Sequence, residues 1–424
     1  MRIVIWHGYL LGGTGSNVYT RSLARTWSRQ GHDVAVVCQE PHPERYDLGG
    51  ARVVRPELGG PLPVFVLDHY EEADPVLLTE MSEDDRQHFV EVNAQAVRRE
   101  LPADLVLVNH VLLGAPVGAA VGGDFVVKAH GSELEYAMRD APDLARWGGE
   151  TLADATAVLA GSDHIVEVLE QVVGNGAHTS RIQVVPPGVD VELLRPQHRS
   201  DALDALVAEC RADPPNPPED LDGRAPDPGN AERLASFFAE PAPTVVYVGK
   251  VSEEKGVPLL LEALRTMDVR AVVVGFGPAR EALERDAGPR VLFTGPLEHR
   301  HLAHLWPLAD VAVTPSVFPE AFGMVAAEAA ACGCPPLVAR HSGLAEIATK
   351  LEAAYPPELA HLAGFGTGDV DDLRVKLDAL LSLAPEDRER LRRAARQTAV
   401  DAWSWDMVAD RIAGLAGAGE RSRG

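Results

Sequence analysis

The chain has 424 residues, 46% of them hydrophobic and 24% charged, which is the composition of a soluble globular protein of two or three domains. Its formal net charge of −24 opposes binding to nucleic acid or to an anionic membrane through a general field. The four cysteines, at 38, 210, 332 and 334, form neither a disulfide framework nor a paired metal-ligand spacing.

The chain opens on a buried-strand pattern, Met1-Arg-Ile-Val-Ile-Trp6, rather than on a secretory signal. No run of about 18 apolar residues predicts a transmembrane helix. We therefore expect a cytoplasmic protein without a stable membrane anchor. The oligomeric state is not readable from the sequence. Only five of the 39 basic residues are lysines, so each lysine is a candidate for a specific role; they stand at 128, 250, 255, 350 and 376.

Short apolar strands alternate with helical patterns in the first half of the chain. A helix is predicted from about 16 to 30, and this alternation indicates a doubly wound parallel sheet. The predicted strands cover residues 3–5, 34–37, 105–108, 125–127, 157–160 and 182–185.

A glycine-rich loop, Gly12-Gly13-Thr-Gly-Ser16-Asn17, joins the first strand to the first helix. Glycines at this place let backbone N–H groups approach an anion at the positive end of a helix. A tight turn without a ligand is the alternative. The spacing does not match G-x-G-x-x-G, and only Glu40 stands where a nicotinamide enzyme needs a ribose-binding acid, so that function is weakly supported.

The strand–helix alternation stops between residues 197 and 242, where prolines are frequent, and restarts at Thr244. We predict an N-terminal domain of residues 1–196, a flexible Pro-rich insertion or linker at 197–242, and a C-terminal domain of residues 243–400. A helix from about 385 to 399 precedes a last helix, about 401–417, that is expected to pack back on the first domain. Two doubly wound domains of this kind are expected to face each other across a ligand-binding cleft.

Lys250 and Lys255 lie in a glycine-bordered loop, Gly249 to Gly256, after the first strand of the second domain. Cations there suit a diphosphate, both for binding and for stabilising it as a leaving group. Salt bridges to the neighbouring Glu253 and Glu254 are the alternative interpretation.

Glu320 and Glu328 lie eight residues apart, the first in a turn after the apolar run 311–313 and the second on an Ala-rich helix. Carboxylates at the carboxyl edge of a parallel sheet suit a polyhydroxylated ligand, because each accepts hydrogen bonds from two neighbouring hydroxyls. The alternative is that Glu320 only stabilises the helix dipole and that Glu328 is a solvated helix residue.

The segment from Glu320 to Glu328 resembles the E-x7-E signature of the retaining glycosyltransferases of family 4, which have the GT-B fold. The loop at 249–256 resembles the family pattern G-R-x-x-x-x-K-G, except that Lys250 replaces the arginine and cannot form its bidentate fork. The resemblance runs over nearly the whole chain apart from about 197–242. It implies an α/β fold of the GT-B type, with two Rossmann-like domains.

The family resemblance implies transfer of a sugar from a nucleotide-diphosphate sugar, expected to be a UDP-sugar, with retention and without a metal or other cofactor. Glu320 and His130 would act on the transferred sugar. His130 follows a strand and lies close in sequence to Lys128, one of the few lysines. The alternative for His130 is a histidine that only caps a loop. The implied donor-binding residues are Gly12, Gly13, Lys250, Lys255, Leu297, Phe322, Gly323, Met324 and Glu328.

On the acceptor side, the loop through Asn17 is similar to that of actinobacterial enzymes that glycosylate inositol phosphate, so Asn17 is a candidate contact. His110 is a second candidate, with a structural role equally open. The similarity is too short to name the acceptor, which we expect to be a small soluble molecule.

Other motifs and functions have weaker support. Asp369-Val-Asp371 is interpreted as a helix N-cap rather than a metal-binding D-x-D. The histidines at 299, 301 and 304 are interpreted as a solvated helix start. A GT-B phosphorylase or synthase, and a catalytically inactive nucleotide-binding member of the family, remain alternatives.

Overall fold

The chain divides into two compact units, Met1–Gly188 with Trp405–Gly424, and Val189–Ser404. This computed structural model describes residues 1–65, 74–213 and 226–416. The division falls at Gly188 and Ser404, whereas the boundaries predicted from the sequence lie at 196 and 400. Within the described residues no helix is both long and apolar enough to cross a membrane.

The first unit is built on a seven-stranded parallel sheet with the order β3-β2-β1-β6-β7-β8-β9. Its central strand, β6, is buried at all five residues and apolar from Leu105 to Val108, as the middle of a parallel sheet requires. The strands are β1 Arg2–Trp6, β2 Asp33–Val37, β3 Arg52–Val54, β6 Leu105–Asn109, β7 Val126–Lys128, β8 Ala157–Ala160 and β9 Ile182–Val184, with β4 Leu62–Val64 and β5 Pro75–Leu77 in a separate pair. The helices are α1 Gly15–Arg29, α2 Glu83–Arg98, α3 Gly114–Val121, α4 Pro142–Leu152 and α5 Asp163–Val173.

The six strands predicted for this unit are all present and pair in parallel, with Ile3 opposite both Val34 and Leu105. Strands β3, β4 and β5 were not predicted from the sequence. Each has three residues, which is too short a stretch for a clear periodic signal.

The second unit contains a six-stranded parallel sheet with the order β12-β11-β10-β13-β14-β15. The strands are β10 Thr244–Val248, β11 Arg270–Val274, β12 Val291–Gly295, β13 Val311–Thr314, β14 Pro336–Ala339 and β15 Gly364–Phe365. The helices are α6 Arg199–Ala212, α7 Asn230–Phe238, α8 Val257–Leu264, α9 Arg280–Asp286, α10 His299–Leu305, α11 Met324–Ala331, α12 Ser342–Ala354, α13 Val370–Leu381 and α14 Pro385–Trp403.

The prediction of a flexible insertion at 197–242 is wrong for both ends of that stretch, which are helical. Helices α6 and α7 occupy much of this stretch, and Leu206 and Leu234 are fully buried in the core of the second unit. The prolines that motivated the prediction lie mainly in residues 214–225, which are outside the described residues. The many prolines there obscured the apolar spacing of the two flanking helices.

The last helix of the chain, α15 (Trp405–Ala413), belongs to the first unit. The Trp27 indole on α1 donates to the Ala409 carbonyl over 3.1 Å. The Trp405 ring lies so close to Gly188 that a Cβ there would come within 2.4 Å of it. The predicted break near residue 400 is displaced, because α14 continues to Trp403 and the chain turns at Ser404.

Candidate active site

Both sheets have a point where the strand order reverses, between β1 and β6 in the first unit and between β10 and β13 in the second. At such a point the loops that follow neighbouring strands diverge to opposite faces of the sheet and leave a crevice at the carboxyl edge, where α/β proteins bind ligands. The residues predicted from the sequence lie in loops at the carboxyl edges of the two sheets or in the helices that follow those loops, and each unit carries a cluster of its own.

Lys255 and Glu320 form the centre of the second-unit cluster. They lie in the loops after β10 and β13, and Lys255 Nζ is 2.5 Å from Glu320 Oε1. Both side chains are about one quarter exposed. The sequence analysis assigned the two residues to different parts of one nucleotide sugar, the diphosphate and the transferred sugar, and the structure in addition pairs them with each other. A ligand that carries both an anion and hydroxyl groups could engage the two partners at once.

Backbone contacts hold the two loops together. The Glu254 carbonyl accepts hydrogen bonds from the N–H groups of Val317 (2.9 Å) and Phe318 (3.1 Å). Gly256 has a φ of +70°, and a Cβ on it would lie 1.9 Å from the Pro315 carbonyl oxygen. Only glycine permits this approach, so Gly256 fixes the place of Lys255 relative to Glu320.

A second clamp holds Glu320 from the start of α12. The Glu320 N–H donates to Ser342 Oγ over 2.8 Å, and its carbonyl accepts from the Gly343 N–H over 2.9 Å. Ser342 has a φ of +46°, an uncommon conformation for a residue with a side chain. Strained backbone of this kind is concentrated at functional sites.

Lys250 has an exposed side chain near the start of the loop that follows β10. Its position is set through the backbone, because Tyr247 Oη donates to the Lys250 carbonyl over 2.8 Å. In the part of the chain that the structure describes, the Lys250 ammonium makes no ion pair, and neither Glu253 nor Glu254 pairs with Lys250 or Lys255. The neighbouring-glutamate interpretation of this loop is therefore wrong.

Glu328 lies on α11 and is 5% exposed. His299, the first residue of α10, places Nε2 3.0 Å from Glu328 Oε1.

Two other residues predicted to bind the donor are apolar. Leu297, which precedes α10, is half-buried. Phe322 is buried and packs edge-on against Trp403 at 6.0 Å between ring centroids.

The turn before α11 brings backbone amides to the same edge of the sheet. Gly323 caps the helix with a φ of +113°, and Met324 is its first residue. The first N–H groups of a helix have no acceptor inside it and carry partial positive charge. Together with Lys250 and Lys255 they create an environment that favours an anion.

The first-unit cluster is built around histidines at the end of β1, β6 and β7. His130 Nε2 lies 2.7 Å from Asn109 Oδ1. The Asn109 amide nitrogen donates to the Trp6 carbonyl, so Oδ1 must accept, and His130 carries its proton on Nε2. Burial, with the charges of His110 and Lys128, holds the pKa of His130 well below its usual range. His130 therefore offers Nδ1 as a hydrogen-bond acceptor.

Glu133 holds the backbone of this cluster. Its carboxylate is fully buried and accepts from the N–H groups of Val111 (3.3 Å) and His130 (3.0 Å) and from His110 Nδ1 (3.2 Å). Burial by itself would raise the pKa of Glu133, but the interaction with His110 and the hydrogen bonds outweigh it and hold the pKa below its usual value. His110 adopts a φ of +72°, which marks a locally strained backbone.

Asn17 and the glycine-rich loop are tied to a third histidine. His7 Nε2 lies 2.8 Å from Asn17 Oδ1, and the Asn17 amide nitrogen donates to the Gly12 carbonyl. Burial and the proximity of His110 lower the pKa of His7 to about 3. Gly13 has a φ of +89°. As an acceptor contact Asn17 stays a prediction; in this structure its side chain is buried and holds the loop.

Lys128 is the buried lysine of the first-unit cluster. Its ammonium donates to the Val185 carbonyl over 3.2 Å and lies 5.3 Å from the centroid of the Tyr19 ring. Burial, only partly offset by the charge of Glu133, lowers the pKa of Lys128 to about 7. The Lys128 ammonium therefore interacts with groups of the protein itself rather than with a ligand.

The burial of Lys128 predicts a pH-dependent stability. From pH 7 towards 10.5 the unfolded chain keeps a proton on Lys128 that the folded chain releases, so folding stability rises with pH across this window. We expect denaturant unfolding to show a rise of about 2 kcal/mol between pH 7 and pH 9 that is absent from Lys128→Met. Lys376, which also donates to a carbonyl but is exposed, provides the control Lys376→Met. Equal pH slopes in wild type and Lys128→Met would contradict the prediction.

Of the histidines on α10, His299 is exposed, as predicted for a solvated helix start, whereas His301 is not. His301 is fully buried, and its Nδ1 accepts from the Glu298 N–H over 3.2 Å. Its proton therefore lies on Nε2 and donates to Asp213, 3.1 Å away. Cys210, Asp213 and His301 lie close enough to share an ion. However, metal binding through His301 Nε2 would require removal of this proton, and burial raises the pKa of Cys210 to about 11, so this donor set does not fit a metal.

Four residues of these clusters were not predicted from the sequence: His7, Asn109, Glu133 and His299 as a partner of Glu328. The first two directly end or follow apolar strands, a signal that was available. Glu133 and His299 have no local signal, because their importance depends on partners 23 and 29 residues away along the chain. The Asp369 cap was predicted correctly; its carboxylate accepts from the N–H groups of Asp371 and Asp372.

Two protein-family models match the chain. Residues 14–188 match the glycosyl transferase 4-like domain, and residues 230–398 match the glycosyl transferases group 1 family. The two matches together cover most of the chain.

Curated relatives with sequence similarity include D-inositol 3-phosphate glycosyltransferases. The protein of this name from Xylanimonas cellulosilytica is 33% identical over 269 residues, which is 59% of this chain and 56% of that protein. The protein of the same name from Mycobacterium tuberculosis is 29% identical over 249 residues, or 56% and 44% of the two chains. The similarity thus spans about half the length of these relatives.

Solved structures with the same fold include sucrose-phosphate synthase from Thermosynechococcus elongatus, with a TM-score of 0.67, 20% identity and 99% coverage of both chains. Anabaena HepE in complex with UDP-glucose aligns with a TM-score of 0.67 and 17% identity, over 99% of this chain and 100% of that one. At this identity the likeness shows the fold alone.

Proposed function

The chain belongs to glycosyltransferase family 4 and has its GT-B fold, and on this premise we propose that it transfers a sugar from a nucleotide-diphosphate sugar to a hydroxyl of a small acceptor. The observation that carries the proposal is the contact between Lys255 and Glu320 at the strand-order reversal of the second sheet. A cation for a diphosphate and a carboxylate for sugar hydroxyls stand side by side there, as a nucleotide sugar requires.

The proposed donor extends along the carboxyl edge of the second sheet. Glu328 would accept the ribose hydroxyls, with the base at the main chain of Leu297. Lys250, Lys255 and the amides before α11 would hold the diphosphate, and Glu320 would accept hydroxyls of the transferred sugar. Because Anabaena HepE, which shares the fold, forms a complex with UDP-glucose, a UDP-sugar is the first donor to test.

We propose that the reaction retains the configuration at the anomeric carbon. The acceptor hydroxyl would attack on the face from which the diphosphate leaves, and a diphosphate oxygen would take its proton. The sequence offers no evident carboxylate nucleophile on the acceptor side for a double displacement. The contribution of the protein would be to stabilise the departing negative charge with Lys250 and Lys255, and a metal ion would not be required.

The acceptor is proposed to be a small hydroxylated molecule that meets the first-unit cluster. His130 offers an unprotonated nitrogen there, which can accept a hydrogen bond from a hydroxyl. The curated relatives act on an inositol phosphate according to their name, so inositol phosphates belong in the first acceptor screen.

Calorimetric titration with UDP, GDP, dTDP, ADP and NAD, with and without magnesium, tests the proposal. We expect one nucleoside diphosphate to bind in the absence of metal, and a thermal-shift panel to show a stabilisation of about 2.7 kcal/mol at 100 times its dissociation constant. NAD, which lacks a terminal diphosphate, serves as the control. Absence of binding by every diphosphate, or a strict dependence on magnesium, would contradict the proposed donor site.

A further inference from the structure

His299 lies beside Glu328 in the second-unit cluster and has no role in the donor site proposed above. It lies on the first turn of α10, and half of its side chain is exposed. Its Nε2 makes a hydrogen bond of 3.0 Å to Glu328 Oε1. Because a carboxylate only accepts hydrogen bonds, this nitrogen carries the proton.

His299 bonds to only one of the two carboxylate oxygens of Glu328. Among the described residues, Oε1 has His299 as its hydrogen-bonding partner, and Oε2 has none. The Glu328 side chain is 7% exposed, so few waters can compensate for a missing partner. The contact with His299 therefore fixes the rotation of the carboxylate plane and leaves its second oxygen available.

The start of α10 is itself held firmly, so that His299 has a defined position. Glu298 and His301 form a reciprocal capping box, in which each side chain accepts from the other residue's backbone N–H. The adjacent Arg300 pairs with Glu209 and Asp213 on and beside α6. These contacts anchor the backbone on both sides of the exposed imidazole.

We propose that His299 is a positioning residue that orients the Glu328 carboxylate for the vicinal hydroxyls of a ribose. This inference rests on the proposed function, since it concerns the nucleoside end of the same donor site. A diol needs two acceptor lone pairs at a fixed separation, which a freely rotating carboxylate presents only part of the time. Orientation by His299 thus adds selectivity for a ribonucleotide over its 2′-deoxy form.

The test compares His299→Ala with His299→Gln by calorimetric titration with the ribo- and 2′-deoxy forms of UDP, GDP and ADP. In His299→Ala we expect the affinity for the ribonucleotide to fall about tenfold, with the 2′-deoxy nucleotide bound as in wild type, so that discrimination is lost. The glutamine amide reaches the place of Nε2 and can donate to Glu328, so His299→Gln should restore discrimination. His304→Ala provides a control on the same helix, because His304 contacts Gln197 instead.

The possible outcomes separate the inference from the proposed function. If wild type binds ribonucleotides selectively and His299→Ala keeps that selectivity, the inference is overturned while the donor site stands. An equal loss of affinity for ribo- and deoxy forms also overturns it, since a merely structural role would act on both. If wild type binds none of the six nucleotides, the result contradicts the proposed function itself, and with it the inference.

Discussion

Replacing Lys255 with methionine should lower the turnover of the nucleotide sugar by about 100- to 1000-fold. Its ammonium is held 2.5 Å from Glu320 by loops whose backbones bond to each other, so in the proposed mechanism it would already be in place when the diphosphate leaves. A preorganised charge of this kind stabilises the departing diphosphate without reorganisation at the moment of reaction. The loss should therefore fall on kcat more than on the affinity for the free nucleotide.

Steady-state kinetics of nucleoside diphosphate release, with Lys350→Met as the matched control, checks this expectation. Lys350 is exposed on α12 and outside both clusters, so its replacement should leave turnover within about twofold. The double variant Lys255→Met/Glu320→Gln should lose less than the product of the two single losses, because the two side chains contact each other. Turnover of Lys255→Met within about threefold of wild type would remove Lys255 from the proposed mechanism.

Replacing Glu133 with alanine should destabilise the first unit by about 3–5 kcal/mol, measured by denaturant unfolding. The change leaves three buried donors without an acceptor: the backbone N–H groups of Val111 and His130 and the ring N–H of His110. The control Glu135→Ala removes an ion pair with Arg139 whose side chains are about 40% exposed, and should cost less than about 1 kcal/mol.

Glu133→Gln separates the charge of this residue from its geometry. The glutamine oxygen can still accept hydrogen bonds from the two backbone N–H groups. In that orientation the side-chain amide nitrogen faces His110 Nδ1. His110 should then carry its proton on Nε2, and the stability loss should stay near about 1–2 kcal/mol. Nitrogen-15 NMR of the histidine side chains distinguishes the two protonation sites. An unchanged His110 spectrum in this variant would show that Glu133 does not fix the proton.

The fold was largely predictable because its main signals are local. Runs such as Ile3-Val4-Ile5 and Val245-Val246 need no distant information to indicate buried parallel strands. The prediction failed where local signals were weak or misleading: at the short strands β3, β4 and β5, and at α6 and α7, which flank a proline-rich stretch.

The amino-acid sequence was sufficient to identify the family, the alternation of strands and helices, and the loops in which Lys250, Lys255, Glu320 and Glu328 lie. The partners of these side chains, by contrast, became known from the three-dimensional arrangement. Lys255 meets Glu320 across 65 residues of sequence, and His299 meets Glu328 across 29. This difference arises because a strand is specified by its own neighbours, whereas a contact between loops is specified by the order in which the strands assemble into a sheet.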